Sequence, residues 1–223
     1  FLSISNLIIG TVLSVVIALL LNELIQLKFK KFTQTIIFLP HFLSWVVVAS
    51  LFSIMLSPTQ GFINNILGAF GHDPIYFLAE KKWWTPVFLL IQRWKETGWG
   101  TIIYLAALSG VNPALYEAAM IDGANRWQQT LKITLPSLST TIMVVFVLNL
   151  GKVMNIFQSV FTLQNDIVLK ISDVLKVYSY RVGILNSDYG MGTTIGVFTS
   201  LVGLTLVLTT DRINRKIRGS SLL

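Results

Sequence analysis

The feature that most constrains this chain is a succession of apolar runs, starting at the first residue, each near the roughly 20 residues a helix needs to cross a bilayer. Five can be read, at about 3–27, 33–57, 84–110, 137–162 and 193–210. Lipid cannot satisfy backbone amides, so such runs must be helical when they span. Composition agrees: 53% of the 223 residues are hydrophobic and 12% charged, against about 25% charged in a soluble domain. The sequence predicts an all-α, polytopic helical membrane protein, one domain over residues 1–223.

The first run is already under way at Phe1. This suggests that the sequence begins partway along a longer chain, with an N-terminal span missing. A secretory signal peptide over residues 1–27 is the competing reading, but the run is long and no charged n-region precedes it. There is no Cys, which excludes disulfides and Cys-based metal or redox chemistry.

Alternate connections between spans share a side of the membrane. One side collects Lys28, Lys30, Lys31, Arg126, Lys132, Arg212, Arg215, Lys216 and Arg218 against Glu23, Glu117, Asp122 and Asp211. The other balances Lys81, Lys82, Lys170, Lys176 and Arg181 with Asp73, Glu80, Asp166, Asp173 and Asp188. The basic excess marks the first side, including the C-terminal tail, as cytoplasmic. The net charge of +7 is therefore read as a topology signal, not a nucleic-acid site. The outer connections look ordered. Phe62, Ile63, Ile66, Leu67 and Phe70 follow helical spacing, and "SDVLKVYSYRVG" has Ser172 placed as an N-cap and Gly183 as a C-cap. Trp83 and Trp84 stand where an interfacial aromatic belt would.

The cytoplasmic segment 111–136 is polar yet helical. Asn112 can cap a helix opened by Pro113. Gly123 permits a sharp turn, a second helix "ANRWQQTLKI" follows, and Pro136 can open the fourth span. Ala118 and Ala119 let a partner approach closely, and Glu117 and Asp122 offer it charge.

Glu117-Ala118-Ala119, then Gly123, then Ile133-x-Leu135-Pro136 after nine residues match the EAA motif of ABC importer permeases. The sequence resembles that MetI-like family, and within it the branch handling oligosaccharides and other sugars, through "PHFLSWVVVASLF", "SDVLKVYSYRVGI" and "GTTIGVFTSLVGL". The resemblance implies a transmembrane permease subunit of an ATP-driven importer in the bacterial inner membrane. It further implies that Glu117, Ala118, Ala119, Asp122, Gly123, Ile133, Leu135 and Pro136 contact an ATPase subunit. The implied partners are a second permease, related but different, two ATP-binding subunits that carry the ATP and Mg2+, and an extracytoplasmic solute-binding protein. A re-entrant or interfacial loop is the structural alternative for 116–136.

Ionisable groups at membrane depth usually face a cavity or a partner. The third span carries Arg93, Trp94, Lys95 and Glu96; counting from Gly110, Glu96 lies roughly 21 Å and Arg93 roughly 25 Å up. The fourth carries Asn149, Lys152, Asn155 and Gln158, read as one winding polar stripe roughly 13 to 27 Å up from Thr140. Together these residues are candidates for a solute path, with Trp94 or Trp99 offering a face to a sugar ring. Locally, Arg93 and Lys95 can instead snorkel to headgroups and pair with Glu96.

No catalytic or metal-ligating set is read. There is no phosphate loop G-x-x-x-x-G-K-[ST], so ATP hydrolysis is assigned to partners and this chain to a non-enzymatic role. His41, after Pro40, is read as structural, and Gly192, Gly196 and Gly203 as close-packing positions. Three alternatives stand: an importer permease for a peptide, amino acid or anion, a membrane enzyme of lipid or glycan metabolism, and an ion-driven transporter. No internal repeat favours the last.

Overall fold

The computed structural model describes residues 1–218, with side chains through Lys216; the tail's remaining residues, 219–223, and the Ile217 and Arg218 side chains lie outside the described ones. The described chain is helical with short connections.

Helix α1 runs over Leu2–Asn22, and α2 over Leu27–Phe38 leads into a 3-10 turn at Leu39–Phe42 and then α3, Trp45–Met55. The run at 33–57 is therefore not one straight span: α2 with its turn and α3 meet at 100°. Pro40 lacks an amide hydrogen, Leu43 is extended, and Ser44 restarts the helix by accepting the Val47 amide at 3.3 Å. Helix α4, Phe62–Ala69, is the short helix that the apolar spacing predicts.

Helix α5, Lys81–Ser109, is 29 residues long and forms the spine. α1 packs along it more extensively than any other pair of elements, and α8 and the α2–α3 bend also rest on it. α1, Arg126–Leu150 and Tyr189–Lys216 are long and apolar enough to cross a membrane, and the bent pair adds a fourth candidate. α5 falls outside that set despite its length, because charged residues interrupt it at 81–82 and 93–96.

Helices α6 (Pro113–Ile121) and α7 (Arg126–Gln129) form the polar pair. The helical run that α7 opens does not end before Pro136. It continues through a π-turn, Thr130–Thr134, into α8, Leu135–Leu150. The π-turn takes up the irregularity that Pro136 imposes: the Leu135 amide reaches back to Thr130 O.

The fourth span stops at Leu150, short of the expected 162. Turns and loop follow to α9, Gln158–Leu163, then α10, Leu169–Ser172, and α11, Leu175–Tyr180. Ser172 does not cap α11. It closes α10, its hydroxyl donating back to Val168 O at 3.0 Å. Gly183 does not end α11 either, since the helix passes through a π-turn at Arg181–Leu185. Its role is contact: a Cβ built on Gly183 would lie 2.9 Å from Gly192 Cα of the last helix, α12, Tyr189–Arg218.

Lipid gives apolar packing no hydrophobic drive, so close approach through small residues holds such bundles together. Gly203 faces Gly151 O, which a Cβ would approach to 2.6 Å, whereas Gly196 faces open space. Two apolar clusters organise the interior. One joins Leu2, Trp45, Val48, Trp84, Phe88, Ile91, Val160 and Val168. The other joins Val15, Ala18, Tyr104, Leu108 and Leu138, nearer the α6–α7 pair.

Candidate functional site

The two clusters leave a gap on the same helices. On α1 it spans Ser3 to Ser14, and on α5 Gln92 to Tyr104. It holds a cavity of about 310 Å³, closed on a third side by Val145 and Asn149 of α8 and by Lys152, Val153 and Ile156 beyond it. That volume lies at the small end of ligand sites, roughly 300–1,000 Å³.

Of the residues expected to line a path, Arg93, Glu96, Asn149 and Lys152 meet here, with Trp99. The continuous stripe is corrected: Asn149 is on α8, Lys152 in a turn, Asn155 in a loop and Gln158 at the start of α9, and the last two do not line the cavity. The helix breaks after Leu150, so a spacing of three no longer defines a face. Trp94 turns away onto Phe52, ring centroids 5.3 Å apart. Lys95 is buried against the α2–α3 bend: its Nζ donates to His41 O at 2.9 Å and lies 3.3 Å from Glu96 Oε1. Glu96 bridges bend and cavity, because its other oxygen sits 3.0 Å from His41 Nδ1. His41 also stacks on Trp99 at 4.6 Å. His41 is thus hydrogen-bonded and packed, as read.

α1's share of the wall went unread in the sequence. Ser3, Asn6, Gly10 and Ser14 recur at helical spacing within an apolar run, and that periodicity was the available signal. Gly10 has a definite use. The Arg93 guanidinium occupies the space where its Cβ would be, and Nη2 donates to Asn6 Oδ1. Three buried polar atoms on the wall have no protein partner: Gln92 Oε1, Arg93 Nε and the Tyr104 hydroxyl. Buried polar groups are nearly always paired, so such orphans mark a place for polar solute or water.

The α6–α7 pair lies at the far end of the bundle. Asn112 Oδ1 caps α6 through the Ala114 amide at 3.0 Å. Gly123 has φ 77°. Its amide reaches Met120 O at 3.1 Å and the Ala124 amide reaches Ala119 O at 2.8 Å, a Schellman close that requires the left-handed residue. Asn125 and Gln128 then form a reciprocal capping box. Tyr116 and Thr134 join the two arms at 3.0 Å.

Glu117, Ala118, Asp122 and Gly123 are exposed, while Ala119, Ile133 and Leu135 are half-buried. Ala119, Asp122, Gly123, Lys132 and Ile133 border a notch of about 350 Å³. Leu135 and Pro136 belong to the helix behind it, not to its lining. Ile121 and Trp127 beside it are 88% and 69% exposed, large apolar groups on an otherwise polar loop. Such a surface suits protein contact.

A bundle with a polar cavity between apolar clusters, and a rigid surface helix pair at its end, defines a membrane transport component. The chain belongs to the family described as binding-protein-dependent transport system inner membrane component, whose pattern matches residues 10–219.

It is 41% identical over 203 residues to a polygalacturonan/rhamnogalacturonan transport system permease protein, YteP, of Bacillus subtilis, covering 91% of this chain and 63% of that one. It is 37% identical over 202 residues to LplB of the same organism, 90% of this chain and 64% of the relative. The chain thus spans just under two thirds of these relatives' length. A crystal structure of a bacterial ABC transporter involved in import of the acidic polysaccharide alginate superposes with TM-score 0.94 at 39% identity, over 97% of this chain and 76% of that one.

Proposed function

We propose that this chain is the permease subunit of an ATP-driven importer for oligosaccharides, and that the cavity among α1, α5 and α8 is its half of the translocation path. The observation that carries the reading is the cavity's position. Polar walls with orphaned atoms lie between two apolar clusters on the same helices, while the α6–α7 surface stands at the bundle's end. Opening one cluster or the other would expose the cavity to alternate sides. The open face of α8 leaves room for a second permease chain to complete the wall.

In this reading α6 and α7 lie in the cytoplasm and take up force from an ATP-binding subunit. Two such subunits hold the ATP and Mg2+ and hydrolyse it. An extracytoplasmic binding protein delivers substrate over α4 and α9–α11, and the C-terminal tail lies on the same side as α6. The assignment to carbohydrate is supported by the relatives, which are named for polygalacturonan/rhamnogalacturonan, arabinooligosaccharide and lactose transport.

Affinity purification of the tagged full-length protein from its native membrane, with the co-purifying subunits identified and the recovered binding protein screened against oligosaccharides, tests the proposal. An ATPase and a sugar-binding protein are expected. Recovery of the well-folded chain alone in mild detergent would overturn it.

A further inference from the structure

We infer that the central cavity is a subsite for a carboxylate-bearing sugar unit, with Arg93 and Lys152 as its anion-binding pair. The inference rests on the reading of the cavity as part of the path, and it adds the charge of the cargo.

The wall carries three ionisable groups of formal charge, Arg93, Glu96 and Lys152. Glu96 is already held by Lys95 and His41 from outside the cavity. Neither Arg93 nor Lys152 forms an ion pair among the described residues, although the Glu96 charge also acts on Arg93. Arg93 gives Nη2 to the neutral amide of Asn6 and leaves Nε buried without a partner. Lys152 has no ion pair or side-chain hydrogen bond among the described residues.

A cation at membrane depth is costly unless an anion or water meets it. A neutral sugar brings only hydroxyl dipoles. A carboxylate accepts two parallel N–H bonds from one guanidinium, and the Lys152 ammonium adds a second charge with free geometry. A monoanion fits better than a phosphate dianion, because the Glu96 carboxylate shares the wall and repels additional negative charge.

The remaining lining suits the rest of a sugar. Tyr104 and Gln92, 1% and 9% exposed, present unpartnered polar atoms for hydroxyl groups. Trp99 has one face covered by His41 and is still 49% exposed, which leaves indole surface for a ring. Carboxylate, hydroxyls and an apolar ring face together describe a uronic-acid-type unit.

The absence of Cys from residues 1–223 permits a direct probe. Asn149→Cys is introduced in the full-length chain, in the assembled importer in membrane vesicles, against the same complex without it. Modification rates are measured with sulfonatoethyl (anionic) and trimethylammonioethyl (cationic) methanethiosulfonates and normalised to a free thiol in solution. The anionic-to-cationic ratio is expected to be raised about tenfold by the focused positive potential. It should fall toward the free-thiol value in Arg93→Gln and Lys152→Gln. Galacturonate should slow modification at a concentration where galactose does not.

A ratio at or below the free-thiol value overturns the anionic subsite. So does equal protection by galactose, which would make the cavity a neutral-sugar site with the path reading intact. No modification by either reagent, with and without ATP, sinks the path reading and this inference with it.

Discussion

Lys95 Nζ donates to the carbonyl oxygen of His41 at 2.9 Å, fastening the bend of the broken α2–α3 element to the spine. The same ammonium lies 5.3 Å from the Trp45 ring centroid and beside Glu96. One carboxylate, Glu96, thus belongs both to the bend and to the cavity wall. A shift of the bend cannot occur without altering the cavity's charge balance, which is a physical route from α2–α3 movement to substrate affinity.

Replacing Lys95 by Ala leaves a carbonyl and a carboxylate without their donor in a buried place. The cost is expected to be about 1–3 kcal/mol, read as a lower thermal midpoint of the purified complex. Lys95→Gln retains a donor without the charge and should lose less. Equal midpoints for wild type and Lys95→Ala would mean that the contact does not hold the bend.

The helix pair depends on Gly123 more through backbone conformation than through space. Nothing lies within 4 Å of a Cβ built there, yet φ is 77°. A β-branched residue should therefore strain the turn by about 1–2 kcal/mol and misplace Ala119 and Ala124, whereas Asn, tolerant of this region, should do less harm. ATPase subunits co-purifying with the chain are expected to fall severalfold in Gly123→Val and less in Gly123→Asn, at unchanged membrane level of the chain. Equal recovery with Val would show that the turn's shape is not what the partner reads.

Glycines on α12 should separate cleanly. Gly203→Ala drives a methyl against Gly151 O, while Gly196→Ala meets nothing. The first is expected to cost about 1–3 kcal/mol. The second should be neutral or mildly stabilising, by up to about 1 kcal/mol from helix propensity. Thermal unfolding of the two variants checks this, and reversed order would mean that a partner chain occupies the Gly196 face.

Much of this was legible in the sequence because some signals are local. Asn112 before Pro113, and Gly123 five residues after Ala118, state their backbone requirements in their own neighbourhood, and the pair folds as those residues demand. Arg93 and Glu96 announce themselves by cost, since few charges are tolerated at such depth.

What failed was periodicity carried across a hidden break. Asn149, Lys152, Asn155 and Gln158 keep a spacing of three, but the helix ends at Leu150 and only the first two reach the cavity. No proline lies between Leu150 and Gln158, and the one local sign of the break is Gly151, the residue that caps the helix. The fold of the α2–α3 bend likewise depends on Lys95 and Glu96, more than fifty positions away. α1's polar stripe was readable and went unread because Asn6 and Ser14 are modest exceptions in a strongly apolar run.

The loop around α4 offers a fourth test. Asn64, 5% exposed, donates to Leu56 O, Ser57 O and Ile75 O and accepts the Ile75 amide at 2.8 Å. It therefore holds the start of the 56–76 loop to its end around α4. Asn64→Ala removes one side chain but leaves Leu56 O and both backbone groups of Ile75 unmet, while Ser57 O keeps the Gly61 amide, a cost of about 1–3 kcal/mol confined to that loop. Limited proteolysis should cut within residues 57–80 far faster in the variant, with the core helices protected as before. Unchanged cleavage would mean that α4 docks through its apolar face alone.

Tyr104→Phe distinguishes a cavity made for cargo from one made for stability. The Tyr104 ring packs in the cluster with Val15, Leu108 and Leu138, and its hydroxyl is buried on the cavity wall without a partner. Removing that hydroxyl keeps the packing and deletes an unsatisfied polar group, so the thermal midpoint should hold or rise slightly. If the hydroxyl meets substrate as it passes, uptake by the reconstituted importer should fall several-fold, in line with about 1 kcal/mol for one hydrogen bond. Stability held with uptake reduced assigns the group to transport. A lowered midpoint would instead reveal a structural partner, a bound water or a second permease chain, and an unchanged uptake would remove Tyr104 from the path.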